Sequence, residues 1–174
     1  MKPIFESERI IFAEVSEAFV PGYLAMVNDY EHVNKYIGGA YGGSAHTYTE
    51  EDEIRWVREK LEEKAPVFSM VEKSSGEFIG NIELMDVTGT EAELGIALTA
   101  AKQDRGFGTE AVTALLRYGF EELGLRRITL RTRLFNERAQ HVYRKCGFRE
   151  TARDDTHVFM EVLSPAASGT SDPD

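Results

Sequence analysis

Two kinds of hydrophobic period alternate along this chain, and their order limits the folds open to it. Seven segments have the two-residue alternation or β-branched composition of strands, and four have the spacing of helices. The strand-like segments are residues 9–15, 67–72, 78–85, 92–98, 127–133, 148–151 and 157–163. The helix-like segments are residues 17–28, 49–61, 109–123 and 136–146. This order predicts a mixed α/β (α+β) fold, in which a half built from hairpins precedes a β-α-β half.

Length, charge and cysteine content restrict the class of protein. The chain has 174 residues, a formal net charge of −10 and one cysteine, Cys146. We expect one domain over residues 1–163, followed by a flexible tail of small polar residues at 164–174. The negative charge argues against a nucleic-acid partner, because binding to phosphates needs excess basic side chains. One cysteine excludes an intrachain disulfide, and the scattered histidines predict no metal site.

Neither a membrane span nor an export signal is expected. No run approaches the ~20 apolar residues that a membrane-spanning helix needs. The first residues also lack the apolar core of a signal peptide. These features predict a cytoplasmic protein without a membrane partner, and they leave the oligomeric state open, with a homodimer among the alternatives.

The most informative segment runs from Leu94 to Ala111, where a strand, a loop with two glycines and a helix follow one another. Gly106 and Gly108 allow the main chain to turn several N–H groups in one direction. These groups lie at the positive end of the helix dipole. Such an arrangement binds anions. The alternative is that the glycines only form the turn into the helix.

Two better-known phosphate-binding loops do not fit this segment. A dinucleotide fingerprint places its first glycine directly after the strand, whereas residues 99–105 intervene here. It also needs an acid at the end of the next strand, where this chain has Arg133. A P-loop needs a Lys-Ser or Lys-Thr pair after the glycines, and no such pair follows them here.

Two sequence blocks resemble the GNAT N-acetyltransferases. The run Gln103-x-x-Gly106-x-Gly108 is similar to the Q/R-x-x-G-x-G/A signature with which that family binds acyl-CoA. Residues 136–148 are similar to the family's N-x-x-A-x-x-x-Y-x-k-x-G-F segment and lie at the expected distance. The resemblance covers roughly residues 9–163 and is closest to the branch of ribosomal-protein alanine and spermidine acetyltransferases.

The resemblance implies a fold and a co-substrate. The fold would be a central, mostly antiparallel sheet of about six to seven strands flanked by about four helices. In it, the strand at residues 92–98 would splay from the strand at 127–133. The co-substrate would be acetyl-CoA, without a metal. The residues that would bind it are Ile96, Leu98, Gln103, Arg105, Gly106, Phe107, Gly108, Thr109 and Asn136.

These residues would contact different parts of the coenzyme. The resemblance implies that main-chain N–H groups of the loop hold the pyrophosphate, with Arg105 adding positive charge. The main chain of Ile96 and Leu98 would pair with the pantetheine arm. Gly95 favours a bulge or kink in the same strand. Such a bulge would direct an N–H group to the thioester carbonyl.

Asn136 and Tyr143 are seven residues apart and therefore share one face of a short helix. The resemblance implies that Tyr143 protonates the departing thiolate. Ordinary pKa values of about 8.5 for a thiol and about 10 for tyrosine make that transfer nearly balanced. The alternatives are a core tyrosine and an asparagine that only caps the helix. A covalent route through Cys146 is disfavoured because no partner base is evident.

The acceptor amine needs a base and a pocket. Glu93, on the strand that would line the acetyl group, is the first candidate for the base, and Glu83 on the preceding strand is the second. Either is alternatively an exposed strand carboxylate. The glycine- and tyrosine-rich stretch at residues 30–48 has the composition of a mobile lid, or of a plain flexible loop.

The sequence thus predicts an acetyltransferase that moves an acetyl group from acetyl-CoA to a primary amine by direct attack in a ternary complex. A protein N-terminal α-amine and a polyamine or other small amine are both compatible with the negative charge. The alternative is a non-catalytic acyl-CoA-binding or protein-interaction module on the same fold.

Overall fold

The computed structural model describes residues 1–37 and 46–168. Within these residues, eight strands form one sheet in the order β1-β2-β3-β4-β5-β6-β8-β7. The strands are β1 (Pro3–Glu6), β2 (Ile10–Glu14), β3 (Val67–Glu72), β4 (Phe78–Thr88), β5 (Glu91–Leu98), β6 (Arg127–Arg133), β7 (Arg149–Arg153) and β8 (His157–Leu163). The helices are α1 (Val20–Val27), α2 (Glu50–Glu63), α3 (Phe107–Glu121), α4 (Glu137–Lys145) and α5 (Pro165–Ser168). Every neighbouring pair of strands is antiparallel except β5 and β6, which confirms the predicted fold class.

The sheet has one strand more than the largest number predicted. The additional strand, β1, has four residues, begins at Pro3 and pairs only with β2. Its Phe5 is partly buried and stacks between Phe12 and Tyr118, with ring centroids 4.3 and 4.4 Å away. A strand with one inward side chain is too short for its period to be distinguished from that of a loop.

Two helices begin at residues that the sequence marks as caps. The Thr49 side chain accepts from the Asp52 N–H at 3.2 Å, and the Asp52 carboxylate accepts from the Thr49 N–H at 2.8 Å. This reciprocal pair starts α2. Asn136 caps α4 with a single bond, since its Oδ1 accepts from the Ala139 N–H at 3.2 Å. Gly147, with a φ of 100°, follows α4 in the left-handed conformation that ends helices.

Several predicted segments have shifted ends in the structure, among them the helix predicted over residues 109–123, which is Phe107–Glu121. Two other segments differ in the kind of structure at one end. The helix predicted over residues 17–28 begins with a 3-10 turn, Glu17–Phe19, and α1 follows it. The predicted tail begins with an ordered residue, because Ser164 is 5% exposed and its N–H donates to the Arg126 carbonyl at 2.9 Å. Residues 169–174 lie outside the described residues, so the flexible tail stays a prediction there.

The two faces of the sheet are covered differently. On one face, α3 packs over a large apolar cluster that includes Ile82, Leu84 and Ile128, each at most 3% exposed. Side chains alternate along a strand, so Asn81 and Glu83 of β4 point to the opposite face. That face carries α1, α2 and a smaller apolar cluster. Polar residues at the centre of the sheet therefore lie on the α1–α2 face.

β5 and β6 diverge after a short parallel ladder. Residues 91–93 of β5 pair with residues 127–129 of β6, whereas β5 stays paired with β4 up to Leu98. The predicted splay is therefore confirmed. It leaves one edge of β5 open in the middle of the sheet.

The bulge predicted at Gly95 is wrong. Gly95 pairs with Glu83 in an unbroken register, and the irregularity of the β4–β5 ladder lies between Met85 and Thr88. A Cβ on Gly95 would lie 2.9 Å from Met85 Cε and 3.5 Å from Glu83 Cγ. The side chains of Met85 and Glu83 on the neighbouring strand therefore cross over this glycine.

Candidate active site

The loop between β5 and α3 presents main-chain N–H groups that can bind an anion. Gly106 directly precedes α3 and has a φ of 82°, which glycine adopts without strain. The first helical bond joins the Glu110 N–H to the Gly106 carbonyl at 3.2 Å. In the described part of the chain, the N–H groups of Gly106, Phe107, Gly108 and Thr109 donate to no other group. They lie at the positive end of the helix, where anions bind.

Gly106 and Gly108 are glycines for different reasons. Gly106 needs its positive φ, whereas Gly108 lies inside the first turn of α3. A Cβ on Gly108 would lie 3.7 Å from Leu98 Cδ1 and 4.0 Å from Val142 Cγ1, which are ordinary van der Waals distances. The packing of the protein therefore does not require glycine at position 108. A ligand whose phosphates approach the main chain closely would require it.

Charged side chains surround the loop in balanced numbers. The cations are Arg9, Lys102, Arg105 and Arg138, and the carboxylates are Glu72, Glu77, Asp104 and Glu110. Lys102 is 5% exposed and lies 2.6 Å from Glu72 and 2.5 Å from Glu77, and these hydrogen bonds raise its pKa. Because these charges compensate one another, the attraction for an anion comes mainly from the free N–H groups. The half-exposed Arg105 guanidinium, 3.7 Å from Glu72, adds to it.

The Gln103 side chain joins three parts of the structure. Its Nε2 donates to the carbonyls of His32 at 3.0 Å and Leu98 at 3.1 Å. Its Oε1 accepts from Arg138 Nη2 at 2.9 Å, and Arg138 also contacts Asp104 at 3.0 Å. Both ends of this amide are therefore engaged by the protein itself. The contact predicted between Gln103 and the coenzyme stays a prediction.

Ile96 and Leu98 direct main-chain groups to the open edge of β5. The Thr99 N–H donates to the Ile79 carbonyl at 2.9 Å, so Leu98 and Gly80 form a pair without mutual hydrogen bonds. The alternation of an antiparallel ladder then points the N–H and C=O groups of Ile96 and Leu98 away from β4. They face the side from which β6 has diverged, where an extended ligand could pair with them.

Tyr143 lies on the inner side of α4, at the boundary of the apolar core. It is 9% exposed, and its ring meets Phe148 edge to face with centroids 5.9 Å apart. Its hydroxyl makes no hydrogen bond within the described residues, yet it is not among the fully buried polar atoms without a partner. The ring packs in the core, and the side chain lies at its boundary. The packed ring is typical of a core tyrosine, whereas a hydroxyl without a partner in the described residues is what a proton donor needs. Both alternatives therefore stay open.

Burial raises the pKa of Tyr143 well above the ordinary tyrosine value, and the nearby Cys146 adds a smaller effect. The phenol is therefore protonated throughout the neutral range, so it can donate a proton but cannot act as a base. The near balance expected from ordinary pKa values does not hold for the free protein. Desolvation would also raise the pKa of the coenzyme A thiol if its thiolate formed at the same place.

Asn136 and Cys146 lie at opposite ends of α4. The Oδ1 of Asn136 caps the helix, as one predicted alternative states, and its amide NH₂ has no partner in the described part of the chain. Cys146 Sγ lies 3.7 Å from the Thr109 carbonyl oxygen and 3.7 Å from Thr113 Oγ1. Burial raises the pKa of the Cys146 thiol, which lowers its thiolate fraction and its reactivity.

Two glutamates lie on the α1–α2 face beside the open edge of β5. Glu83 Oε1 is 3.6 Å from the position that a Cβ of Gly95 would take, so the carboxylate lies over Gly95. Burial raises the pKa of Glu83. The charge of Lys60 opposes this rise, and the charges of Asp86 and Glu93 add to it. Glu93 Oε1 lies 3.6 Å from the Arg131 Nε. The two carboxylates thus differ: Glu83 is desolvated and holds its proton more tightly, while Glu93 is paired with a cation.

A chain of hydrogen bonds on the same face was not predicted from the sequence. The Ser16 N–H donates to the Tyr23 hydroxyl at 3.3 Å, which lies 2.5 Å from Ser69 Oγ. Ser69 Oγ donates to Asn81 Oδ1 at 2.9 Å, so Tyr23 must donate to Ser69. The Asn81 NH₂ is left on the face that carries Glu83. No local pattern could signal this chain, because its members come from separate elements.

The predicted lid lies partly outside the described residues. Residues 38–45 contain all of its glycines, so the lid stays a prediction. On either side, Asn28 bonds the main chain of Tyr48 at 2.8 and 3.0 Å, and Arg133 Nε donates to the Ile37 carbonyl at 3.4 Å.

Across residues 1–37 and 46–168, no helix has the length and apolarity needed to cross a membrane. The same residues contain no group of three or more His, Cys, Asp or Glu side chains that could hold a metal ion.

Comparison with known protein families decides the identity of the fold. The profile described as "Acetyltransferase (GNAT) domain" matches residues 9–149, which is more than half of the chain. The chain belongs to the GNAT acetyltransferase family. The resemblance given by the two sequence blocks is thereby confirmed.

Relatives of this GNAT chain include proteins from Bacillus and Vibrio. The chain is 30% identical over 103 residues to the "uncharacterized N-acetyltransferase YnaD" of Bacillus subtilis (strain 168), covering 59% of this chain and 61% of the relative. It is 32% identical over 83 residues to spermidine N(1)-acetyltransferase of Vibrio cholerae, covering 47% of this chain and 48% of the relative. Both alignments span less than two thirds of the relative's length.

A solved structure extends the likeness to nearly the whole GNAT fold. Spermidine N-acetyltransferase from Vibrio cholerae in complex with CoA and spermine superposes with a TM-score of 0.79, covering 90% of this chain and 96% of that one. The two sequences are 19% identical in this comparison, so the likeness shows a shared fold.

Proposed function

We propose that this protein is an acetyl-CoA-dependent N-acetyltransferase that transfers the acetyl group to a primary amine by direct attack in a ternary complex. The observation that carries the proposal is the row of free N–H groups at residues 106–109, next to the open edge of β5. N–H groups at a helix start suit a diphosphate, and an open strand edge suits an extended arm with amides. Coenzyme A contains both groups, a pyrophosphate and a pantetheine arm, linked to each other.

The co-substrate supplies an acetyl group already activated as a thioester, and the chain's own residues bind it, assist departure of the thiolate and deprotonate the amine. Residues 106–109 hold the diphosphate through their N–H groups, and the Arg105 guanidinium adds positive charge. Ile96 and Leu98 hold the pantetheine arm through their main chain. Asn136 offers its free amide NH₂ to the same arm. Tyr143 donates a hydrogen bond and then a proton to the departing sulfur.

The acceptor amine must lose a proton before it attacks. At pH 7, a lysine-type amine with a pKa of about 10.4 is neutral in roughly one molecule in 2,500, whereas an α-amine of about 7.7–8.0 is neutral in roughly 10–15%. We place Glu83 first as the base because it combines a position over Gly95 with a raised pKa. Glu93, paired with Arg131, is the second candidate and would attract the cationic amine.

The pH dependence distinguishes the two glutamates. In the wild type, kcat/KM should fall as the pH drops through the raised pKa of Glu83, because a base must be deprotonated to act. Glu83→Gln should lower kcat/KM at pH 7 at least about tenfold and remove this acidic limb. Glu93→Gln is the matched control and should keep the limb. An acidic limb that survives in Glu83→Gln and disappears in Glu93→Gln would assign the base to Glu93.

Stability gives an independent check on Glu83. A carboxyl group whose pKa is higher in the folded state stabilises that state only while it is protonated, so ionisation at neutral pH costs stability. Glu83→Gln should therefore raise the melting temperature at pH 7. The gain should shrink as the pH falls through the raised pKa towards that of an ordinary glutamate. A gain that does not depend on pH would contradict a raised pKa at this site.

The acceptor class can be tested without knowing the natural substrate. A panel of polyamines, other small amines and N-terminal peptides is incubated with acetyl-CoA, thiol release is followed, and products are identified by mass spectrometry. The proposal expects thiol release coupled to one added acetyl group on a primary amine. CoA binding without turnover on any acceptor would favour the non-catalytic module, and absence of CoA binding would reject both.

A further inference from the structure

Arg9, at the turn between β1 and β2, contacts the loop that precedes α3. Its Nη1 donates to the Arg105 carbonyl oxygen at 3.0 Å, and its Nε donates to Glu110 Oε2 at 2.7 Å. The guanidinium carbon lies 4.2 Å from the centroid of the Phe107 ring, within the range of a cation–π contact. Nη2 lies 3.2 Å from the position that a Cβ of Gly106 would take. One side chain thus touches both ends of the segment with free N–H groups.

Glu110 fastens the same turn from the side of α3. Its Oε1 accepts from the Ser7 hydroxyl at 2.7 Å and from the Arg9 N–H at 2.7 Å. Burial by itself would raise the pKa of Glu110, but the hydrogen bonds from Ser7 and Arg9 outweigh it and lower the pKa. Glu110 is therefore ionised at neutral pH and holds Arg9 at two points, the side-chain Nε and the main-chain N–H.

The loop needs support of this kind to keep its shape. Asp104 has a φ of 58° and Gly106 a φ of 82°, and the left-handed region is unfavourable for the first of these. The N–H groups of residues 106–109 make no hydrogen bond within the described chain that would hold them in place. A segment with little internal stabilisation depends on contacts from outside for a single conformation.

We propose that Arg9 is a positioning residue for the coenzyme. Through the Arg105 carbonyl and the Phe107 ring, it holds the loop in the shape in which the N–H groups of residues 106–109 meet the diphosphate. The proposal rests on the function proposed above and extends its site to the N-terminal hairpin, 96 to 101 positions away in the sequence. An ordered loop binds more tightly because less conformational entropy is lost on binding.

The test compares three arginine variants. Arg9→Gln removes the charge, Arg9→Lys keeps it without the planar fork, and Arg117→Gln removes a matched ion pair with Glu121 elsewhere on α3. Arg9→Gln and Arg9→Lys should each raise the dissociation constant of CoA and the KM for acetyl-CoA about tenfold, with kcat within about twofold. Arg117→Gln should change none of these values.

Two results would overturn the proposal. Wild-type affinity in Arg9→Lys would mean that charge alone matters, since lysine cannot make the two forked bonds and the ring contact together. The second result concerns dephospho-CoA, which retains the diphosphate and lacks the 3′-phosphate. The proposal expects Arg9→Gln to lose as much affinity for dephospho-CoA as for CoA. A loss confined to CoA would mean that Arg9 binds the 3′-phosphate directly.

A second variant guards against a folding defect. Glu110→Gln weakens the ion pair but leaves the bond between Arg9 and the Arg105 carbonyl, so a smaller rise in the dissociation constant is expected. The double variant should bind no more weakly than Arg9→Gln alone, because both changes act on one contact. All affinities are measured at a temperature where each variant is folded. Equal affinities in all proteins would reject the role of Arg9 alone, whereas a wild type that does not bind CoA would reject the proposed function as well.

Discussion

Replacing Tyr143 with phenylalanine should lower kcat at least about tenfold and leave the dissociation constant of CoA nearly unchanged. The phenol would interact with the sulfur only as it departs, so its loss affects the transition state and not the bound coenzyme. Turnover is measured by thiol release and affinity by calorimetry. Since burial raises the pKa of Tyr143, no alkaline limb in the neutral range should come from this residue.

The same change should not destabilise the protein. The hydroxyl of Tyr143 makes no hydrogen bond within the described residues, so phenylalanine keeps the ring contact with Phe148 and leaves no partner unsatisfied. Tyr118→Phe is the matched control, because Tyr118 packs in the same core through its stack with Phe5. It should retain full turnover. Equal losses of kcat and of CoA affinity in Tyr143→Phe would identify a structural tyrosine.

The elements that sequence reasoning predicted correctly are those whose signals act over a few residues. Asn136 and Gly147 bound α4 by contacts within one helical turn, and Thr49 starts α2 with its own neighbour Asp52. Gly106, which directly precedes α3, is likewise recognised as a turn residue from its immediate surroundings. The fold class could be predicted because most strands and helices carry such local signals.

The features that were missed depend on partners far away in the chain. Gly95 is typical of a bulge when only its own strand is considered, but in the structure it lies in an unbroken register beneath the Met85 and Glu83 side chains of β4. Which of Glu93 and Glu83 is the base stays a prediction, and the surroundings that distinguish them, Arg131 beside Glu93 and burial of Glu83, arise only in the folded chain. Burial and cross-strand contact are properties of the folded chain. They leave no periodic trace in the sequence.

Gly108→Asp should raise the dissociation constant of CoA at least about a hundredfold while the folded state becomes equally or more stable. Glycine is about 0.8–1 kcal/mol less favourable than alanine inside a helix, and an acidic residue in the first turn gains about 0.3–1 kcal/mol from the helix dipole. The space around position 108 accepts a Cβ, with Leu98 Cδ1 at 3.7 Å. The carboxylate would nevertheless occupy the place of the diphosphate and repel it. Calorimetry and thermal unfolding measure the two effects.

Opposite signs for stability and affinity are what separate an anion site from an ordinary helix start. If the glycines only formed the turn, Gly108→Asp would raise stability and leave CoA affinity unchanged. Gly108→Ala should raise stability and weaken CoA binding less than aspartate does, because it adds bulk without charge. Thr113→Asp places the same charge on the exposed side of α3, more than one turn further on, and should change the affinity little, because water and salt screen an exposed charge at that distance. Retained affinity in Gly108→Asp would show that the N–H groups of residues 106–109 do not hold the coenzyme.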